Sequence, residues 1–138
     1  MLERGFSVPT LDDESASQLR ERAAQVRGAI LTMTTLANSG HPGGSMSSLE
    51  TYLVLYHFAS VDPLRPRWEG RDRVVVSHGH TSPGVYSALA DAGFFSLDDA
   101  VAHFRETGSV FEGHVERSVP GVEWGTGNLG QGLSAGVG

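Results

Sequence analysis

Eighteen of the 138 residues are glycine, and they are bunched rather than spread. Most fall at residues 40–44, 79–84 and 121–138, between stretches of regular apolar periodicity. A residue without Cβ lets backbone come close to another group, so clustered glycine signals either ordinary turns and helix caps or main chain wrapped closely around a ligand. Each of these clusters also carries or adjoins a histidine or an amide: His41, His78 and His80, and Asn128. That pairing favours the second meaning.

The periodic stretches supply the scaffold. Leu19, Ala23, Val26, Ile30, Met33 and Ala37 recur at steps of three and four, which predicts an amphipathic helix over 13–38. Asp12, Asp13 and Ser15 are candidate N-caps, and Gly40 is placed to stop the helix. A second helix is expected over 45–57, opening just after Pro42-Gly43-Gly44 and beside His41. Val74-Val75-Val76-Ser77 is a β-branched run with turn signals on both sides, which suits a buried strand of a parallel sheet. Helices over 82–92 and 96–106 follow, with Pro83 in a first turn and Ser96 as an N-cap. Residues 108–132 lack any period and read as one long ordered loop, a length that usually serves function. Residues 129–138 resemble the opening of a further helix, and residues 1–11 an aperiodic arm. The fold class expected is α/β: one diphosphate-binding-type domain over 1–138, with helices around a parallel sheet that this chain builds only in part.

Composition removes several function classes. A net charge of −6 argues against a nucleic-acid surface. The absence of cysteine excludes disulfides and thiolate metal sites. No apolar run approaches membrane-spanning length, and the first residues lack a basic-then-apolar signal pattern, so a cytoplasmic location is expected.

Gly125, Gly127 and Gly130 match the spacing of a dinucleotide fingerprint. The context is wrong for one, because 119–123 is a poor strand and no ribose-binding acid follows. Glycines ahead of a helix would still offer free N–H groups to a diphosphate. Ser77-His78-Gly79-His80 lies just beyond the carboxyl end of the expected strand, where parallel α/β sheets bind ligands. His78 and His80, joined by His41 or His114, leave a zinc site open. Capping or loop-bracing histidines remain a further alternative. His57 is expected to cap a helix C-terminus, and His103 to sit at the surface. Arg65, Arg67, Arg71 and Arg73 are expected to form a solvated cluster partnered by Asp62, Glu69 and Asp72.

Four segments, in order, resemble the transketolase family. They are Ser39-Gly40-His41-Pro42-Gly43, Asp72-Arg73-Val74-Val75-Val76-Ser77-His78-Gly79-His80, Glu112-Gly113-His114, and Pro120-Gly121-Val122-Glu123 followed by Thr126-Gly127 and Leu129-Gly130-Gln131-Gly132. Gly43-Gly44 and the Gly113-His114-Val115 region lean toward split, two-component members, in which this part is a separate N-terminal subunit. The resemblance implies thiamine diphosphate and magnesium as cofactors, and transfer of a two-carbon ketol unit from a ketose to an acceptor. It implies that His80 helps hold the cofactor diphosphate and that Gly127 and Leu129 contact the cofactor through their backbone. His41 and His114 would line the substrate channel as the catalytic pair. Imidazoles suit such proton handling near neutrality, while the cofactor carries the carbanion chemistry.

The family's magnesium-binding segment and pyrimidine-binding domain are not in this sequence. The resemblance therefore implies partner chains that supply them, in a hetero-oligomer acting on small ketoses or aldehydes. Val115, Trp124 and Asn128 depart from the family pattern and are expected to reshape the substrate channel. Two other functions stay in view: a biosynthetic system loading the two-carbon unit onto a non-sugar acceptor such as a carrier-protein thiol, and a non-catalytic scaffold.

Overall fold

Asp12 opens the first helix by accepting a hydrogen bond from the Ser15 amide at 2.7 Å. Such a cap satisfies one of the N–H groups that a helix start leaves without a partner. The computed structural model describes residues 5–138, and among them five helices form. They are α1 (Asp13–Leu36), α2 (Pro42–Phe58), α3 (Ser82–Asp91), α4 (Leu97–His103) and α5 (Gln131–Val137). The predicted stripe of α1 is the buried one: Leu19, Ala23, Val26, Ile30 and Met33 all face the core. Ala37 lies just past the helix as its C-cap. Helix α2 starts three residues earlier than expected, because Pro42 sits at its first turn, where a missing N–H costs nothing. Helix α4 is shorter than expected, since Phe104 turns extended and Arg105 takes a left-handed φ of 59°.

Helix α3 is the axle of the structure. Eight consecutive residues, 82–89, are buried on every side. A helix with small and apolar residues all round must be enclosed, and α1, α2 and α4 pack against it. Gly84 permits the tightest crossing: a Cβ there would stand 2.9 Å from the Ser45 carbonyl oxygen of α2. The irregular stretch after α4 closes the remaining face, with Phe104, Phe111, Val115, Val119 and Val122 joining the same core. Residues 5–11 are non-helical and run beside the end of α2, where the Gly5 amide donates to the Phe58 carbonyl. Residues 1–4 of the expected arm lie outside the described residues.

No strand forms among the described residues. Residues 72–78, the segment expected to be extended, form no helix, turn or ladder, and no hydrogen bond reaches the backbone of Val74, Val75 or Val76. A strand exists only through its ladder, and among the described residues no segment pairs with this one, although α5 packs against it at Gly132.

Charged side chains tie the layers together. The Asp91 carboxylate at the end of α3 meets His57 Nε2 of α2 at 2.6 Å and Arg22 Nη1 of α1 at 3.1 Å. His57 is therefore not a helix cap; it is spent on this carboxylate. Burial alone would raise the Asp91 pKa, but the His57 hydrogen bond and the Arg22 charge bring it below the usual carboxylate value. The arginine cluster also differs from expectation. Arg65 does pair with Asp62. Arg71 is instead buried in a two-pronged pair with Glu123, at 2.6 and 2.7 Å, and Arg67 donates to the Val122 and Arg117 carbonyls. A planar guanidinium matches a carboxylate in this way, and the match locks the loop at 117–123 to the start of the extended segment. His103 is exposed, as expected, and pairs with Glu106.

Replacing Asp91 by Asn should lower stability by about 1–3 kcal/mol, because the half-exposed Arg22 and the largely buried His57 lose their shared carboxylate. The wild-type contribution has a defined pH sense. A lowered folded-state pKa gives stability that is complete above the ordinary carboxylate value and fades as pH falls through the folded one. Melting curves across acid pH should show this fading in the wild type and its loss in the variant.

Candidate functional site

Three glycine-flanked segments, at Gly40-His41, Gly79-His80 and Gly113-His114, bring three imidazoles to one corner. His41 occupies the N-cap position of α2, but its side chain makes no capping bond. Its carbonyl does the anchoring, accepting from Ser45 Oγ at 2.9 Å. The ring is left to meet His80, at 4.6 Å between centroids and 64° between planes. His80 stands in the turn between the extended segment and α3. Its ring meets His114 at 5.5 Å and 63°. His80 is thus the middle member of an edge-to-face row.

His114 is placed by α3. Ser82 Oγ donates to the Gly113 carbonyl at 2.7 Å, and Tyr86 Oη to the Glu112 carbonyl at 2.9 Å. Burial raises the Tyr86 phenol pKa, which keeps it protonated as a donor. Behind His114, the Val115 and Thr126 segments are stitched together: the Thr126 amide donates to the Val115 carbonyl, and the Val115 amide to Thr126 Oγ1. Gly79 shows how closely the loops converge. A Cβ there would stand 3.1 Å from both the Gly127 nitrogen and His114 Nδ1. Gly127 itself takes a left-handed φ of 121°. Leu129 is 60% exposed and joins none of the histidine contacts, although the next amide, of Gly130, donates to the Ser77 carbonyl.

Of two further residues at this corner, Arg105 was not singled out from the sequence and His78 only as a possible zinc ligand. The Arg105 guanidinium lies against Gly113 and makes no hydrogen bond or ion pair among the described residues. His78 turns to the α2 side of the same loop, where Ser48 Oγ and Tyr52 Oη lie 3.1 and 2.9 Å from its Nε2. A left-handed arginine leaves no sequence signal, whereas the doubled His-Gly-His was visible. The electrostatics of the corner act on His41. Partial desolvation, followed by the neighbouring His80, Arg105 and His114 charges, lowers its pKa below the ordinary 6.5. His41 is therefore neutral at pH 7. No group of three or more His, Asp or Glu side chains among the described residues is arranged to hold a metal ion, so the zinc reading finds no ligand set.

Residues 20–138 match the family model described as transketolase, thiamine diphosphate binding domain. The chain belongs to the transketolase family. It is 38% identical over 119 residues to the transketolase of Kluyveromyces lactis, covering 86% of this chain and 18% of that protein. It is 36% identical over 127 residues to the 6-deoxy-6-sulfo-D-fructose transketolase subunit SqwG of a Clostridium species, covering 91% of this chain and 46% of that subunit. The fold matches the solved transketolases of Leishmania mexicana (TM-score 0.77, 34% identity, 86% of this chain and 18% of that one) and Campylobacter jejuni (TM-score 0.75, 40% identity, 84% and 18%). The chain thus spans about a fifth of the full-length transketolases and just under half of the subunit. Of the three departures from the transketolase pattern, Val115 is 1% exposed within the core, so it shapes packing and not a channel surface. Trp124 and Asn128 are exposed.

His41 should titrate below 6.5 in an NMR pH series. His80→Ala and Arg105→Gln should each move it back upward, since each removes a positive neighbour. An unchanged His41 midpoint in both variants would show that these charges do not act on it.

Proposed function

We propose that this chain is the diphosphate-side component of a transketolase-type enzyme that moves a two-carbon ketol unit from a ketose to an acceptor. The observation carrying this reading is the convergence of His41, His80 and His114, from three segments far apart in sequence, into one row of imidazoles. A scaffold has no use for that arrangement.

The corner suits thiamine diphosphate on one structural count. At Gly79, the space a Cβ would fill is bordered by the Gly127 amide nitrogen and His114 Nδ1, so backbone and imidazole polar groups face the same gap. His80, with Gly127 and Leu129 through their backbone, would hold the cofactor. When bound, the cofactor supplies the stabilisation of negative charge at carbon. The chain's own residues orient and exchange protons. His41, neutral at pH 7 because of its surroundings, is suited to accept a proton or a hydrogen bond from a substrate hydroxyl. His114, held through Gly113 and Glu112 by α3, faces the same space from the other side of His80.

Magnesium would be needed to neutralise the diphosphate, with its ligands contributed from outside this chain. Partner chains carrying that segment and the pyrimidine-binding domain complete the proposal. Two features support it. The unpaired backbone at 74–76 would be satisfied by neighbouring strands of a parallel sheet. Leu129, Leu133 and Val137 form an exposed apolar row, 60%, 73% and 84% accessible, leading into and along α5. The SqwG relative, named as a subunit, offers a precedent for a split arrangement. No described helix is long and apolar enough to cross a membrane.

In the assembled enzyme, His80→Ala should weaken cofactor binding by about 1.5–3 kcal/mol, the worth of a charge-assisted hydrogen bond. His41→Ala and His114→Ala should leave cofactor affinity nearly intact and cut turnover roughly 10²-fold. Cofactor titration and steady-state kinetics on the same three variants check this. Loss of cofactor in His114→Ala but not in His80→Ala would reverse the assigned roles, and no kinetic effect in any variant would favour the scaffold.

A further inference from the structure

The His80 ring makes no side-chain hydrogen bond among the described residues; only its contacts with His41 and His114 locate it. Its position is therefore inherited from the backbone of residues 78–81, and that backbone is held in an unusual way. His78 Nε2 lies 2.9 Å from Tyr52 Oη, Tyr52 Oη lies 2.7 Å from Thr81 Oγ1, and Thr81 Oγ1 lies 3.3 Å from the His78 carbonyl oxygen. The chain of contacts starts and ends on the same residue. It is a closed ring, and His80 sits inside the segment that it closes.

The directions of the bonds follow from donor counting. A carbonyl only accepts, so Thr81 spends its single hydroxyl hydrogen on the His78 carbonyl. Thr81 Oγ1 must then accept from Tyr52, whose single hydrogen is spent in turn. Tyr52 Oη can therefore only accept from His78, which requires the hydrogen on Nε2. The Ser48 hydroxyl, 3.1 Å from the same nitrogen, takes a share of that N–H. Burial, foremost, raises the Tyr52 phenol pKa and keeps its hydrogen in place. The Tyr52 and His78 rings lie nearly parallel, 15° apart, which holds the donor at its acceptor. Two consequences follow from this assignment. Ser48 and His78 would not be a nucleophile and its base, because the nitrogen facing Ser48 would carry the hydrogen. And both ends of the turn bearing His80 are referred to one phenolic oxygen on α2.

We propose that His78 is a positioning residue for His80, acting through a closed hydrogen-bond ring with Tyr52 and Thr81 that fixes the histidine as its Nε2–H form. Its link to cofactor binding rests on the proposed function; the ring itself does not.

The test is a long-range ¹H–¹⁵N correlation spectrum of the full 138-residue chain labelled at histidine nitrogen. His78 should show hydrogen on Nε2. In Tyr52→Phe, His78 should become a mixture of tautomers, and the His80 and His114 ring signals should move. A wild-type His78 protonated on Nδ1 alone, or His80 signals unmoved in Tyr52→Phe, would overturn the proposal. Should Tyr52→Phe not fold, the wild-type tautomer and the milder Thr81→Val variant decide the same question. In the assembled enzyme, His78→Leu should weaken thiamine diphosphate binding about tenfold, and His78→Gln, which keeps an N–H of similar reach, should recover most of it. Equal losses in both variants would reduce His78 to a packing role. Spectra that show the ring, together with His80→Ala that binds cofactor normally, would leave the positioning intact and remove the cofactor assignment instead.

Discussion

The enclosure of α3 is the constraint on which the remaining structure hangs. A ten-residue helix with no solvent face along 82–89 can exist only if other elements surround it, and every element that does so is thereby placed. Its first residues follow the His80 turn, its hydroxyls grip the carbonyls next to His114, and its last residue gathers α1 and α2 through one carboxylate. Packing and site geometry are consequently one problem here. A shift of α3 by a fraction of an ångström moves two of the three clustered imidazoles with it.

The polar groups follow the same economy. Where a charge is buried, as at Asp91 and Glu123, it is met by cations that more than offset its desolvation. Where basic groups crowd, as His41 does beside His80, Arg105 and His114, partial desolvation and those neighbours disfavour a proton on His41. The first arrangement builds structure. The second keeps an imidazole ready to take up a proton, and it tolerates the repulsion because the corner is open to solvent on one side.

Much of this was legible from residue order. The apolar stripe of α1, the Asp12 cap and the α3 boundaries were anticipated, since period and cap chemistry are local signals, whereas the meeting of His41, His80 and His114 was implied only by the family resemblance. What escaped depends on partners remote in sequence. His57 reads as a helix cap until Asp91 is brought alongside it, and Arg71 reads as a solvated charge until Glu123 arrives from fifty-two residues away. Arg105 is invisible because nothing in an arginine announces a left-handed backbone. The strand anticipated at 74–77 is unpaired here, because a ladder needs a neighbour that the local sequence does not supply.

That bare stretch has a consequence for what the chain pairs with. Three consecutive valines with free N–H and C=O groups are a template for any passing extended chain, including another copy of this one. Arg71, Asp72 and Arg73 stand immediately before them, and both Asp72 and Arg73 are exposed. Charges in that position act as gatekeepers, raising the cost of stacking identical copies while leaving the valines available to a chosen neighbour. The same six residues, 71–76, therefore carry both an invitation to pair and a deterrent against pairing with identical copies.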